Sequence, residues 1–548
     1  MIESVSIHLA EVHRELVSED YLKFETQQEG SFSIYQIEFK KNCQVAVLRV
    51  DFKLSEKPLF FRSSAYQWIS PEVVDATANY HSPKLMKFAN EFYLLGTTTL
   101  GAWKWNKKNN SLSWYLIHPD LNPVFRYNED DYRVWKKQFE VSAGKKFSLG
   151  LYYGPGPVPE FARTPLGFAP TICFTDHCDF DTLDLLQAQR KLFKKNHIRT
   201  TKGVFLHTYS HKGEYAALDQ KPLLEEIKKW EKDGHEIAYH AFSRSFRKES
   251  WKEYQEFETP SGLKTIQTYI DHGFHQYNFS KQSFSSQREW LQHMQIKGVR
   301  YFWNYVDGME ANSRSHNQLM PSHSSISAIF QEKSSAKRAG LDYDKSRNQK
   351  TWLAYGTNDT LDKRVKVLNA SFAELRKGKK GLFPFAFSLF KTLSAAASLK
   401  LIEKNLFRPD KSFFFSRFSP AFFPVSFGQN EDLMAFQSFS LKDFRAVFCE
   451  KSLQDLEAES GVLVAHTYFA YLGSNHPGRI FKDELGRIQE EVASSFEQLG
   501  NRIKEGRIWN PTLSELGDFH RKLMESNYTW KNGQLNTENF PGTVRWIK

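Results

Sequence analysis

Apolar and polar positions follow two different rhythms along the chain, and the change between them falls near residue 150. Before it the period is two. Phe32, Ile34, Ile37 and Phe39 lie near a strand register, and Val45, Val47, Val50 and Phe52 alternate loosely with Arg49, Asp51 and Lys53. Leu100 to Asn106 and Leu112 to Ile117, joined through Asn109 and Asn110, read as a hairpin. Together they predict a β-rich, sandwich-like domain over residues 1–153, closed by the stiff Gly154-Pro-Gly-Pro-Val-Pro-Glu160.

Beyond that linker, short apolar runs alternate with helical periods. A β-branched run from Thr171 to Thr175 predicts a buried strand, and Leu183, Leu185, Leu186 and Leu192 set a helix closed by Lys194, Lys195 and Asn196. Strands over 202–207, 236–239 and 299–306 are interleaved with helices over 222–232 and 287–295. Repeated units of this kind mean a parallel sheet, open or closed as a barrel. The rhythm is lost over 308–454, which reads as a basic, aromatic-rich insertion. It resumes with a strand from Val462 to His466, a helix over 483–503, and a last strand entering a helix capped by Thr512 or Ser514. The α/β domain is thus expected over 165–307 and 455–548.

Composition adds constraints. A chain of 548 residues exceeds one ordinary core, so two or three domains are expected. Its 4 cysteines show no paired spacing, so neither a disulfide framework nor a zinc ribbon is implied. Trp68, Trp103, Trp105, Trp114 and Trp135 of the front domain read either as core or as a platform for sugar rings. The start of the chain lacks the pattern of a secretory signal, and no apolar run approaches the ~20 residues of a membrane span, so a cytoplasmic location is expected.

The net charge is +11, and residues 332–417 alone carry 19 Lys or Arg against 8 Asp or Glu. Here a basic cluster, Arg376 to Lys380, adjoins the apolar stretch Leu382 to Ile402. That pattern predicts peripheral contact with a membrane surface through 376–404, against the alternative of a cap helix with a solvated basic face. Nucleic acid is not an expected partner, because the basic run lies beside a dense apolar run rather than along a binding module.

Candidate chemistry collects at strand ends. Asp176, His177, Cys178, Asp179 and Asp181 follow the first α/β strand within six residues. Gly234-His-Glu-Ile-Ala-Tyr-His240, Ile270-Asp-His-Gly273, Tyr301 to Asp307, and His466 follow later ones. Strand-end loops are where α/β enzymes present their reactive groups. His235 is discounted, because it is offset by five residues from His240 and faces the other way in a strand. Cys178 with His466 as base would instead make a thiol hydrolase.

In order and spacing these pieces resemble the polysaccharide deacetylase (NodB-homology carbohydrate esterase) family. Phe174-Thr-Asp-His177 stands for its first motif, Gly234 to His240 for its second, Trp303 to Asp307 for its Trp-containing strand and Val462 to His466 for its last. The resemblance implies a distorted (β/α) barrel of the polysaccharide deacetylase type. It implies a divalent metal, zinc before cobalt, nickel or manganese, and hydrolysis of acetyl or similar acyl groups on a carbohydrate or glycan precursor. By it Asp176 is the general base, His466 protonates the leaving group, and Asp307 orients His466. Two positions depart from the family: Arg244 replaces its second metal histidine, and His177 stands where its metal-binding aspartate belongs. His177, Asp179, His240 and His272 are therefore the candidate ligands, with Asp181 an alternative carboxylate. Arg244 and the Trp-rich front domain motivate a second expectation, a catalytically degenerate carbohydrate-binding protein on this barrel.

Overall fold

The structure is a computed structural model. It describes residues 2–72, 77–129, 133–208, 216–244, 250–273, 275–311, 316–320, 359–378, 381–402, 421–428, 433–441, 443–473 and 479–548. Much of the expected insertion, including its basic stretch before Asp359, lies outside these residues, as do 379–380 and 403–404.

The α/β rhythm forms a barrel. Its strands are β1 (Thr171–His177), β2 (Thr201–Val204), β3 (Glu236–His240), β4 (Thr268–Ile270), β5 (Tyr301–Ala311), β6 (Met434–Leu441) and β7 (Val462–Thr467). They hydrogen-bond in the order β5-β4-β3-β2-β1-β7-β6, all parallel, and β6 pairs back with β5 to close the ring. All seven residues of β1 are buried, as a strand between barrel lumen and helix layer must be. Among the described residues, the helices of ten residues or more are α1 (Leu183–Lys195), α2 (Lys221–Lys232), α3 (Gln287–Ile296), α4 (Asp359–Arg376), α5 (Leu382–Ile402), α6 (Glu490–Lys504) and α7 (Leu513–Glu525). Thr182 caps α1 by accepting from the Leu185 amide at 3.3 Å, and Lys194 and Lys195 sit in its last turn, where the helix dipole favours cations. Thr512 and Glu515 close a capping box at α7.

Several expectations shift. β4 is only three residues long, too short for an alternation signal, and β6 lies inside the stretch read as inserted. The strand anticipated before α7 reduces to an isolated bridge between Trp509 and Thr171. The helix anticipated from residue 483 begins at Glu490.

The front domain is built of a five-stranded and a seven-stranded sheet, antiparallel throughout. Tyr35 of one meets Phe52 of the other with ring centroids 5.2 Å apart. Trp103, Trp105 and Trp114 are buried in its core, so they pack rather than present a sugar platform. The domain sits on the barrel through named contacts: Thr99 donates to the Leu523 carbonyl, Asn122 to that of Pro424, and the His81 ring stacks on His520 of α7 at 4.1 Å. The last strand of the chain, Val544–Ile547, pairs with Val158–Phe161 at the end of the front domain.

Candidate active site at the carboxyl end of the barrel

Asp176 and His177 are neighbours in β1, so their side chains leave opposite faces of the strand. Asp176 points into the helix layer. Lys202, directly beside it in β2, forms ion pairs with both Asp176 and Asp181. The Asp176 carboxylate also accepts from the Thr467 hydroxyl and the Phe469 amide, each at 2.8 Å. Gln189 of α1 completes the cluster, donating to Asp181 at 2.7 Å. Desolvation pushes the Asp181 carboxyl up to about 6 even beside the lysine. All the groups of this cluster are fully buried. A carboxylate with three donors on it, fully buried and turned away from the mouth, is out of reach of a catalytic water, and Asp176 is part of the scaffold.

His177 leaves the other face of β1, into the barrel mouth. Its ring stacks on His466 at 4.1 Å and lies 4.4 Å from the ring of His240, at the end of β3. Asp179 bridges two more imidazoles: its Oδ2 lies 2.9 Å from His240 Nε2 and its Oδ1 2.7 Å from His272 Nε2. Donor atoms of His177, Asp179 and His240 all fall within 4.8 Å of one another, and no other such group of three occurs among the described residues. His272 stands one step back, fixing the carboxylate. The buried Nδ1 atoms of His177, His240 and His272 have no hydrogen-bond partner.

Charge states fit the same picture. Burial pushes Asp179 up, but the adjoining imidazoles of His240 and His272 outweigh it and hold the carboxyl well below its usual range. Burial holds His177 well below the ordinary imidazole range and moves His240 down as well. Neutral imidazoles around an ionised carboxylate are the protonation states a divalent cation binds, and the donor set of two nitrogens and an oxygen suits zinc or its neighbours.

Across the mouth, His466 ends β7. Its Nδ1 lies 3.0 and 3.1 Å from the two oxygens of Asp307, so it donates there and leaves Nε2 as the acceptor, buried and unpartnered. Asp307 is itself held by the Ser438 hydroxyl of β6 at 2.8 Å. β5 delivers Asp307 through a register shift between Trp303 and Asp307, with Tyr305 in the left-handed region at φ 66°. Such a bulge re-aims side chains at a rim, at a local strain of about 1–2 kcal/mol for a non-glycine residue. Around the imidazoles stand Trp303, 5.3 Å from His177, and the half-buried rings of Phe180, Tyr305, Tyr468 and Tyr471.

The other candidates take structural places. Burial keeps Cys178 well above the ordinary thiol range, against Phe205 and Ala217, so it is no thiolate nucleophile. His235 accepts from the Thr200 amide beneath Trp230, as its offset anticipates. Arg244 lies 6.0 Å from the Phe180 ring, on the rim. Sequence reasoning missed Lys202 and Ser438. The signal for Lys202 was a lone cation inside a buried run, one strand from an acidic loop.

No family model matches the chain, and no curated protein matches it. Among solved structures it is similar to a GH31 dextranase of Flavobacterium johnsoniae, at 11% identity over 92% of this chain and 63% of that one, with a TM-score of 0.27. It is also similar to a beta-arabinopyranosidase (9% identity, 56% and 59% covered, TM-score 0.25). A GH31 alpha-xylosidase from a soil metagenome follows (9%, 51% and 49%, 0.19). The chain spans less than two thirds of the dextranase, and likenesses this slight carry no argument for its substrate or reaction. The deacetylase expectation is nonetheless corrected. The chain matches no deacetylase family model, and these three similar structures are glycoside hydrolases. Acyl removal with Asp176 as base is dropped with it, and the lysine clamp on Asp176 gives the physical reason.

Proposed function

We propose that the carboxyl end of the barrel is the active centre of a hydrolase acting on a carbohydrate, with a divalent cation held by His177, Asp179 and His240. The observation that carries this reading is the meeting of that donor group with the His466–Asp307 pair, His177 and His466 lying ring on ring at 4.1 Å. When bound, the cation supplies Lewis acidity and a water that ionises near neutral pH. The remaining steps belong to the chain. His272 holds Asp179 from its far side, so the carboxylate keeps one orientation. His466 exchanges a proton with the substrate at Nε2, and Asp307 keeps that nitrogen bare and stabilises the imidazolium once it forms. The ring faces of Phe180, Tyr305, Tyr468 and Tyr471 offer apolar walls for the C–H faces of a sugar.

The test is elemental analysis of the purified chain together with hydrolysis of a panel of α- and β-linked oligosaccharides. The expected result is one divalent ion per chain, absent from the His177→Ala and His240→Ala variants, and cleavage that chelation abolishes and the ion restores. A chain that binds no ion, or cleavage indifferent to chelator, overturns the reading.

A further inference from the structure

We propose that the hairpin of α4 and α5 docks on an anionic lipid surface, with the Phe383, Phe387 and Phe390 face of α5 lying at the boundary between headgroups and acyl chains. The two helices pack antiparallel. Phe372 meets Phe385 at 5.6 Å, the Ser371 and Ser388 hydroxyls lie 3.2 Å apart, and Thr392 donates to the Arg364 carbonyl at 3.2 Å. Phe385, Ser388 and Thr392 recur at helical spacing, so they define the side of α5 that faces its partner, and two of the three are polar.

The opposite side is apolar and bare. Phe383 and Phe390 are 82% and 70% exposed, Leu382 is 72% exposed, and Phe387, Leu389 and Leu393 are exposed with them. Phe383, Phe387 and Phe390 form one stripe at i, i+4, i+7, and Leu382, Leu389 and Leu393 the adjacent one. A helix of a water-soluble hairpin carries the reverse pattern, apolar inward and polar outward. Three exposed phenylalanines on one stripe are far more than scattered surface residues explain.

Charge selects the occupant. From Arg376 to Lys400 the sequence has six Lys or Arg and no Asp or Glu. The Lys391 ammonium lies 4.0 Å from the Phe387 ring, a cation at the margin of the apolar stripe. Such a face complements an anionic headgroup layer, whereas a second copy of the same face would bring like charges together. No helix among the described residues is long and apolar enough to cross a membrane, so contact is along the surface. The insertion leaves the barrel from the carboxyl end of β5, the end that carries the site, and α4 and α5 lie within it.

The experiment is co-sedimentation of the full chain with vesicles of phosphatidylcholine alone or mixed with phosphatidylglycerol. Binding is expected to the mixed vesicles only, weakening as salt rises. The triple variant F383S/F387S/F390S should partition at least about tenfold less, with an unchanged circular dichroism spectrum. A Phe390→Trp variant should shift its emission to the blue on mixed vesicles and be quenched by brominated lipid. Recovery in the pellet that ignores vesicles or the triple substitution overturns the proposal, as does an unshifted Phe390→Trp emission. A concentration-dependent dimer abolished by the triple substitution, without vesicle binding, would assign the face to a second copy and overturn it too.

Discussion

At the scale of single residues, one step along β1 separates scaffold from chemistry. Asp176 faces the helices and His177 the mouth, so a motif that reads them as a unit gives both the same address. This is why the site was legible in part. His177, Asp179, His240, His466 and Asp307 were all found as groups at strand ends, but which face each side chain leaves depends on strand phase, which a loop-edge motif does not fix. Two substitutions separate the roles. Asp307→Asn should leave the fold intact, turn the His466 tautomer, and lower kcat by about 10²–10⁴-fold in a steady-state assay. Lys202→Met should strand two carboxylates in the helix layer and lower stability by about 3–5 kcal/mol in urea unfolding. Adding Asp176→Asn and Asp181→Asn should then recover part of that loss.

At the scale of elements, the barrel's outer layer is fitted at contacts where side chains are missing. A Cβ on Gly500 of α6 would stand 2.4 Å from the backbone carbonyl oxygen of Asn196, just past the end of α1. Alanine favours a helix over glycine by about 1 kcal/mol, yet here the two backbones must separate, a strain of about 1–3 kcal/mol. Gly500→Ala should therefore destabilise, read as a lower thermal midpoint, against the sign that helix propensity alone suggests. The sequence disclosed the long periodic elements of this layer. It hid β4 behind its three residues and β6 among aromatic runs, because a strand buried on both faces carries no alternation to read.

At the scale of the whole molecule, the seam between front domain and barrel is rich in buried histidine. His520 is pushed down to about 3 by burial and stacks on His81, itself held well below the ordinary range. The unfolded chain takes up these protons near pH ~6.5, while the folded chain resists until far lower. The stability they contribute is therefore complete above that value and is lost as pH falls through it toward 3. The thermal midpoint should drop steeply between neutral pH and pH ~4, and His520→Gln should flatten that fall. An unchanged slope in the variant would place the acid sensitivity elsewhere. The same seam holds Glu160 between Arg62 at 2.7 Å and Arg545 at 2.6 Å, one cation from the front domain and one from the last strand.

The ring of seven strands is sewn from two lengths of chain. β1 to β5 come before α4 and α5 in the chain and β6 and β7 after them, and the closing seams are β5 against β6 and β7 against β1. Severing the backbone between Met320 and Asp359 would leave every strand pairing among the described residues in place. The two polypeptides would remain clasped by both seams and by Val544–Ile547 on Val158–Phe161. Made separately, each would carry unsatisfied strand edges that only the other can cover. The chain is thus a natural candidate for fragment complementation, with regained hydrolysis on mixing as the signal that the ring has closed again.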